Sequence, residues 1–294
     1  MQDKQAYFKN SLLPYWLLFP QLLVTFLFFF WPALQAIKSS FEREDPFGFN
    51  TTFIGFENYV TILSDLAYLK SLLITAIFAI SVTATSMTIA LLLAVCVDRV
   101  IRAKKAYTTL LLWPYAVAPV LAGILWLFIF HPTIGVVPFL LEKIGIIWNH
   151  RINGTQAMII IVIAASWKQI SYNFLFFLAG LQSVPRSQIE AAAIDGAGPF
   201  KRFWTVVFPQ ISPTTFFLLI VNIQYVMFDT FGIIDNITSG GPARATSTLV
   251  YKVYDDGFKN QIIGASAAQS TTLMLMVIVL TFIQFRWIER RVQY

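Results

Sequence analysis

Charge is scarce in this chain. Asp, Glu, Lys and Arg make up 12% of its 294 residues, against 57% hydrophobic. A soluble domain carries about twice that charged share, so apolar surface in this excess needs a non-aqueous solvent. Cysteine is scarcer still. Cys96 stands alone, which excludes an intramolecular disulfide framework and a thiolate metal site. It sits inside an apolar run and reads as a small buried hydrophobe. The two histidines, His131 and His150, are far apart and lack ligand spacing, so neither reads as a metal ligand or catalytic base. The polar stretches between apolar runs are too short for a catalytic domain. No apolar run holds a cluster of acids, bases or metal ligands, which argues against a membrane enzyme. Ser239-Gly240-Gly241-Pro242 lacks a Gly-Lys-Ser/Thr ending and a preceding strand. It is a turn or strained loop rather than a phosphate cradle.

What the chain has instead is long apolar runs. A helix crosses a bilayer in about 20 mostly apolar residues. Six runs qualify, roughly Leu12–Ile37, Ser71–Val97, Ala106–Phe130, Gln156–Leu181, Ile211–Phe231 and Ala265–Trp287. Backbone in lipid must bond internally, so these are helices, or broken helices shielded by protein. The fold class is an all-α membrane protein with six transmembrane helices, in one domain over residues 1–294. Pro14, Pro20 and Pro32 punctuate the first run, Pro114 and Pro119 the third, and kinks are expected there. The first run continues past the length of a signal peptide without a small-residue cleavage site and reads as an uncleaved span. The segment Thr133–Ile147 is too broken for a seventh span and suits a short interfacial or partly re-entrant helix.

The net charge of +6 does not point to nucleic acid, because the basic residues gather at span ends. With both termini in the cytoplasm, the inner pieces hold Lys4, Lys9, Arg99, Arg102, Lys104, Lys105, Arg186, Lys201, Arg202, Arg286, Arg290 and Arg291. The longer outer loops carry Lys38, Arg43, Lys70, Lys143 and Arg151, with most of the acids, including Asp45, Asp65, Asp255 and Asp256. The inner density of Lys and Arg is higher, and this orientation is favoured. Arg244, Lys252 and Lys259 also fall outside. They suit either an ordinary solvated surface or a place where a binding protein or an anion is received.

Residues 182–209 form a polar, basic loop predicted to be a helical hairpin. Pro185 opens a first helix through Ile194, Ala191, Ala192 and Ala193 favour helix with a thin surface, and Asp195-Gly196 ends it. A second helix runs from about Pro199 to Phe208, with Pro209 as the exit to the fifth span. Phe200, Phe203 and Trp204 offer apolar anchors beside Lys201 and Arg202. That combination suits insertion into a groove on another protein, although good helix formers alone make an ordinary loop.

Here the chain carries a resemblance. Glu190-Ala191-Ala192-Ala193-Ile194-Asp195-Gly196-Ala197, followed by Phe203 and Pro209, resembles the EAA hairpin of ABC importer permeases. Further strings extend the resemblance over essentially the whole chain. They are Trp113-Pro114-Tyr115-Ala116-Val117-Ala118-Pro119, Trp167-Lys168-Gln169-Ile170-Ser171-Tyr172-Asn173-Phe174, Leu181-Gln182-Ser183-Val184-Pro185-Arg186-Ser187 and Thr238-Ser239-Gly240-Gly241-Pro242. They are similar to the maltose-type carbohydrate uptake group, and within it to the first permease subunits of sn-glycerol-3-phosphate importers. The resemblance implies a type I importer permease fold. It also implies a second homologous permease subunit, two copies of an ATP-binding subunit and an extracytoplasmic solute-binding protein. No cofactor belongs to this chain; ATP and Mg²⁺ belong to the partner ATPase subunits, and the chain itself is not an enzyme. The hairpin residues Glu190, Ala191, Ala192, Asp195, Gly196, Phe200 and Phe203 are implied to couple to the ATPase. The implied cargo is sn-glycerol-3-phosphate, with maltose or another carbohydrate as the alternative. The implied location is the bacterial inner membrane.

For a pathway, polar residues inside spans are informative because they are costly unless paired or wet. Lys168 is the clearest, with Tyr172 and Asn173 following on the same helix. A lysine lining the cavity would attract phosphate as a flexible point charge; a wet kink or a structural pair is the plainer reading. In the fifth span Asn222, Tyr225 and Asp229 follow a helical spacing and fit one face. Interhelical hydrogen bonding would account for them equally, and Asp229 could pair with Lys168 or simply be hydrated.

Overall fold

The computed structural model describes residues 13–44, 50–99 and 104–288. Four of its helices are long and apolar enough to cross a bilayer: Leu13–Ser40, Leu66–Asp98, Gly154–Ser183 and Ile263–Arg286. Two further spans come as bent pairs. Lys104–Ala116 meets Pro119–Ile129 at 101°, and Pro199–Gln210 meets Ser212–Asp229 at 69°. With each pair counted as one span, the total is the six expected. Leu12, Lys4, Lys9, Asp45, Arg102, Arg290 and Arg291 lie outside the described residues.

The third span is a corner rather than a kink, and its sequence explains why. Pro119 disfavours helical geometry at the residue before it, and Ala118 is extended (φ −60°, ψ 144°). Pro119 itself then opens the next helix, where its missing N–H costs nothing. The same missing N–H leaves the Tyr115 carbonyl without its helical partner four residues on.

The 66–98 and 154–183 helices pack along their length and carry two apolar clusters. Small residues let the backbones approach: Ala90, Ala94, Ala164 and Ala165 are fully buried. The 13–40 helix is different. Its apolar stretch buries nothing, and only its C-terminal part packs, against the 263–286 helix.

The end of the bundle away from residues 186–210 holds an antiparallel hairpin of Glu42–Glu44 with Thr51–Phe53, a helix at Glu57–Ser64 and a short helix at Val136–Glu142. The last falls within the segment expected to be interfacial. The Gly-Gly-Pro loop is strained as its composition suggests: Ser239, Ala243 and Arg244 adopt positive φ of 46°, 47° and 63°. Thr246 Oγ1 ties the loop by donating to Gly241 O at 2.7 Å and sharing a hydrogen bond with Thr238 Oγ1 at 2.7 Å.

Three expectations are corrected. Cys96 is exposed on the chain's surface; an apolar run in a membrane helix has a lipid-facing side as well as a core side, and sequence does not separate them. Lys252 is only 7% exposed. Its ammonium lies 2.9 Å from Asp256 and 3.3 Å from Asp65, while Gln269 donates to the same Asp256 oxygen at 2.6 Å. It locks the ends of three segments together rather than meeting solvent. Pro209 does not mark the exit of the hairpin's second arm: that arm continues through Gln210, and the bend falls at Ile211.

Candidate functional site

Two places in the fold gather the polar residues. The first is a cavity of about 450 Å³ between the corner of the third span and the helices at 154–183 and 212–229. Tyr115, Pro119, Lys168, Gln169, Tyr172, Val221, Gln224, Tyr225 and Asp229 line it. Lys168 is positioned by the broken helix: its ammonium donates to the orphaned Tyr115 carbonyl at 3.1 Å and lies 5.1 Å from the Tyr115 ring centroid. That cation–π contact adds a modest attraction. Among the described residues Lys168 makes no ion pair. Asp229 shares the cavity without closing on it. A half-buried cation held by a carbonyl and a ring keeps its charge available to an incoming anion.

Aromatic rings extend from the cavity in two directions. Tyr115 meets Tyr172 at 5.6 Å, Tyr172 meets Phe176 at 4.8 Å, and Phe176 meets Phe217 at 5.1 Å. Trp167 packs edge-on against Trp113 and Trp126, at 6.2 and 5.8 Å. The flanking rings fix the shape of the 167–172 turn.

The structure brings together four of the six expected pathway residues, Lys168, Tyr172, Tyr225 and Asp229. Tyr225 is only 7% exposed and its hydroxyl donates to Ala165 O at 3.2 Å, so it forms the wall with its ring. A wide π-type turn over Tyr225–Asp229 adds to the residues per turn and swings Asp229 off the face of Asn222. Asn173 and Asn222 lie elsewhere, both fully buried. They exchange amide bonds at 2.8 and 3.1 Å, and Ser86 Oγ joins them at 3.0 Å from Asn222 Oδ1 and 3.2 Å from Asn173 Nδ2. Asn222 also donates to Leu218 O at 2.7 Å. Satisfied on all sides, this trio joins three helices and lines neither of the cavities that hold a lysine. Sequence reasoning missed Tyr115; the signal was Pro119 four residues later, which frees its carbonyl.

The second place is the 186–210 hairpin. Its first arm, Arg186–Ile194, starts after Pro185 and ends in a Schellman arrangement. Ala197 N–H bonds Ala192 O at 3.0 Å and Gly196 N–H bonds Ala193 O at 3.1 Å. Gly196 has φ +79° with open space where a Cβ would stand. Gln210 donates to Gln188 at 2.6 Å and ties the second arm, Pro199–Gln210, to the first. Glu190, Ala191, Asp195 and Gly196 are exposed and Ala192 half-buried. Phe200 is 78% exposed and Ile194, which the sequence reading passed over, 87%. Phe203 turns inward against the chain's own apolar cluster. The outward tip is therefore Ile194, the Asp195-Gly196 turn and Phe200, a small apolar knob.

Of the three cations expected outside, only Arg244 is both exposed and without an ion pair among the described residues. Lys259 donates to the Tyr251 hydroxyl at 2.6 Å, and this bond raises its pKa; burial opposes it, and Asp255 adds to the rise.

Comparison with known proteins matches residues 11–294 to the family described as binding-protein-dependent transport system inner membrane component. The chain is 57% identical over 291 residues to the sn-glycerol-3-phosphate transport system permease protein UgpA of Rhizobium meliloti (strain 1021), covering 99% of each. It is 58% identical to the protein of that name from Brucella abortus biovar 1 (strain 9-941), covering 98% of each. The one from Pectobacterium atrosepticum is 52% identical over 294 residues, the whole of both chains. Among solved structures, a chain of a bacterial alginate ABC transporter in complex with an alginate pentasaccharide-bound periplasmic protein superposes with TM-score 0.83. Its identity is 19%, and the match covers 96% of this chain and 95% of that one. At that identity the likeness concerns the fold.

Proposed function

The chain belongs to the binding-protein-dependent transport system inner membrane components, and from that membership we propose that it is the translocating subunit of an ATP-driven importer for sn-glycerol-3-phosphate. It is a multi-pass permease of the type I ABC importer fold, in a family whose permease subunits are generally non-catalytic. Permeases named for sn-glycerol-3-phosphate align with it from end to end at 57% and 58% identity. The observation in the fold that carries the cargo is Lys168, a cation without an ion pair among the described residues, lining a cavity beside Tyr115 and Tyr172. A phosphate dianion offers it a counter-charge that a neutral sugar lacks.

The remainder of the machine follows the same reading. The unburied 13–40 helix and the cavity's open side would be covered by a second homologous permease subunit and by lipid. Residues 182–209 form the coupling hairpin within a single permease domain spanning 1–294. Glu190, Ala191, Ala192, Asp195, Gly196 and Phe200 seat its tip in one of two ATP-binding subunits, and Phe203 braces it from beneath. ATP and Mg²⁺ bind in those subunits, whose closure pushes the hairpin and turns the cavity from one side to the other. A solute-binding protein delivers the cargo outside, and both termini lie in the cytoplasm. In the cavity, Lys168 holds the phosphate, the Tyr115 and Tyr172 rings flank the glycerol, and Asp229, which also lines it, repels an anion that strays from the lysine. Asn173, Asn222 and Ser86 hold the helices in register around it.

Uptake of labelled sn-glycerol-3-phosphate into ATP-loaded proteoliposomes tests the proposal, with the complete complex, its binding protein outside and maltose as control. Saturable, ATP-dependent uptake lost without this chain is the expected result. ATP-driven maltose uptake with none of the phosphate ester would move the cargo to a sugar.

A further inference from the structure

The Lys168 cavity is not the only polar opening on its face of the bundle. On the 154–183 helix, Lys168, Tyr172, Leu175, Ala179 and Gln182 follow one another at helical spacing, so they form one stripe. The last three are exposed and the first two half-buried. The neighbouring 104–116 helix carries a matching stripe of Tyr115, Leu111, Thr108 and Lys104. The two helices are in contact, and residues of both stripes line a cavity at either end. The upper one is the cavity already described. At the lower end, toward the hairpin, lies a second cavity of about 440 Å³ lined by Lys104, Lys105, Thr108, Thr109, Leu178 and Gln182. The fourteen steps from Lys168 to Gln182 rise about 21 Å at 1.5 Å each, and the stripe residues between the two polar ends are Leu111, Leu175 and Ala179.

The lower cavity has a surplus of donors. Lys104 is neutralised by Asp98 at 3.1 Å. Lys105 has no ion pair and the Gln182 amide no hydrogen-bond partner among the described residues. The hydroxyls of Thr108 and Thr109 are spent on the carbonyls of Lys104 and Lys105, at 2.9 Å each. An ammonium and a free carboxamide beside a neutralised lysine complement an oxyanion.

We propose that this lower cavity is a second phosphate-ester site, where Lys105 and Gln182 receive the translocated anion before release at the hairpin end. The inference rests on the reading of Lys168 as the upper site for the same cargo. A neutral sugar passing between the two cavities needs no such station; a phosphate dianion does, because its counter-charge would otherwise be lost between Lys168 and water. The same oxyanion chemistry is offered by lipid headgroups, to which lysines at span ends commonly reach.

The test uses the nucleotide-free complete complex in nanodiscs of phosphatidylcholine, with or without phosphatidylglycerol. The rate of Lys105 modification by an amine-reactive reagent is followed by peptide mass spectrometry. With phosphatidylcholine alone, sn-glycerol-3-phosphate is expected to slow the modification severalfold, and glycerol not at all. Slowing by phosphatidylglycerol with no further effect of the solute would assign Lys105 to headgroups and overturn the proposal, as would no slowing in either lipid. In proteoliposomes, Lys105→Gln is expected to lower the maximal uptake rate severalfold at unchanged half-saturation, with recovery in Lys105→Arg. An unchanged rate in Lys105→Gln overturns it. Wild-type uptake of the phosphate ester is read in the same assay; its absence strikes the cargo assignment, whereas its presence with unprotected Lys105 strikes only the lower site.

Discussion

Replacing Asn222 by leucine separates a helix-joining role from contact with cargo. Leucine has nearly the shape of asparagine and no polar atoms. The substitution removes three bonds to other helices: the reciprocal pair with Asn173 and the one from Ser86. Interhelical hydrogen bonds inside membranes average about 0.6 kcal/mol each, so the loss sums to roughly 2 kcal/mol. The stranded Asn173 amide, fully buried, pushes the cost upward, since an orphaned buried polar group costs about 1–3 kcal/mol. Removing both amides relieves that penalty. Asn173→Leu with Asn222→Leu is therefore expected to cost less than the sum of the single changes, by about 1 kcal/mol. The measurement is a double-mutant cycle on the purified chain, unfolded by sodium dodecyl sulfate in mixed micelles and followed by tryptophan fluorescence. Half-saturation for uptake, corrected for the amount of assembled complex, should not move. Strictly additive costs, or an Asn222→Leu protein of undiminished stability with a raised half-saturation, would falsify the joining role and return Asn222 to the pathway.

Lys168→Met should raise the half-saturation concentration for sn-glycerol-3-phosphate by about tenfold or more, as loss of a charge-assisted bond of about 1.5–3 kcal/mol implies; proteoliposome uptake measures it, and an unchanged value removes Lys168 from the site. Gly196→Val should weaken ATPase association while Gly196→Asn is tolerated. The space beyond the Cα is open, and only the left-handed φ, costing a β-branched residue about 1–2 kcal/mol, opposes substitution; equal co-purification of the ATPase with both variants would refute this. Lys252→Leu should destabilise by about 3–5 kcal/mol, because it leaves Asp256 facing a buried vacancy of charge; the mixed-micelle titration reads it, and a loss below about 1 kcal/mol would place the pair among solvated ones. Burial opposes ionisation of Asp65, but the Ala67 N–H and Lys252 outweigh it and hold its pKa below the ordinary aspartate value of 3.8. Its stabilising effect is therefore full above that value and lost as pH falls through the folded pKa. Thermal melts of the solubilised protein should show an acid-side loss that is smaller in Asp65→Asn; identical acid profiles would rule it out.

Much of the architecture is determined by the sequence itself. Apolar run length alone placed the spans, because bilayer thickness and helical rise leave little choice. The Asp195-Gly196 stop was legible because only a residue without Cβ occupies the left-handed turn cheaply. Lys168 stood out because an isolated charge in an apolar run needs a reason. Which face of each helix looks inward was not legible: every side of a membrane helix is apolar, so Cys96 turned outward and Asn173 inward without a change in pattern. Helical spacing put Asn222, Tyr225 and Asp229 on one face, whereas Tyr225 and Asp229 line the cavity and Asn222 turns into the helix-joining trio. Lys252 looked like surface until three distant segments closed around it. The donor that Lys168 became depends on a carbonyl freed by Pro119 on another helix. Local backbone chemistry is written residue by residue, whereas the pairing of faces depends on which distant surfaces fit together, and that only the assembled bundle decides.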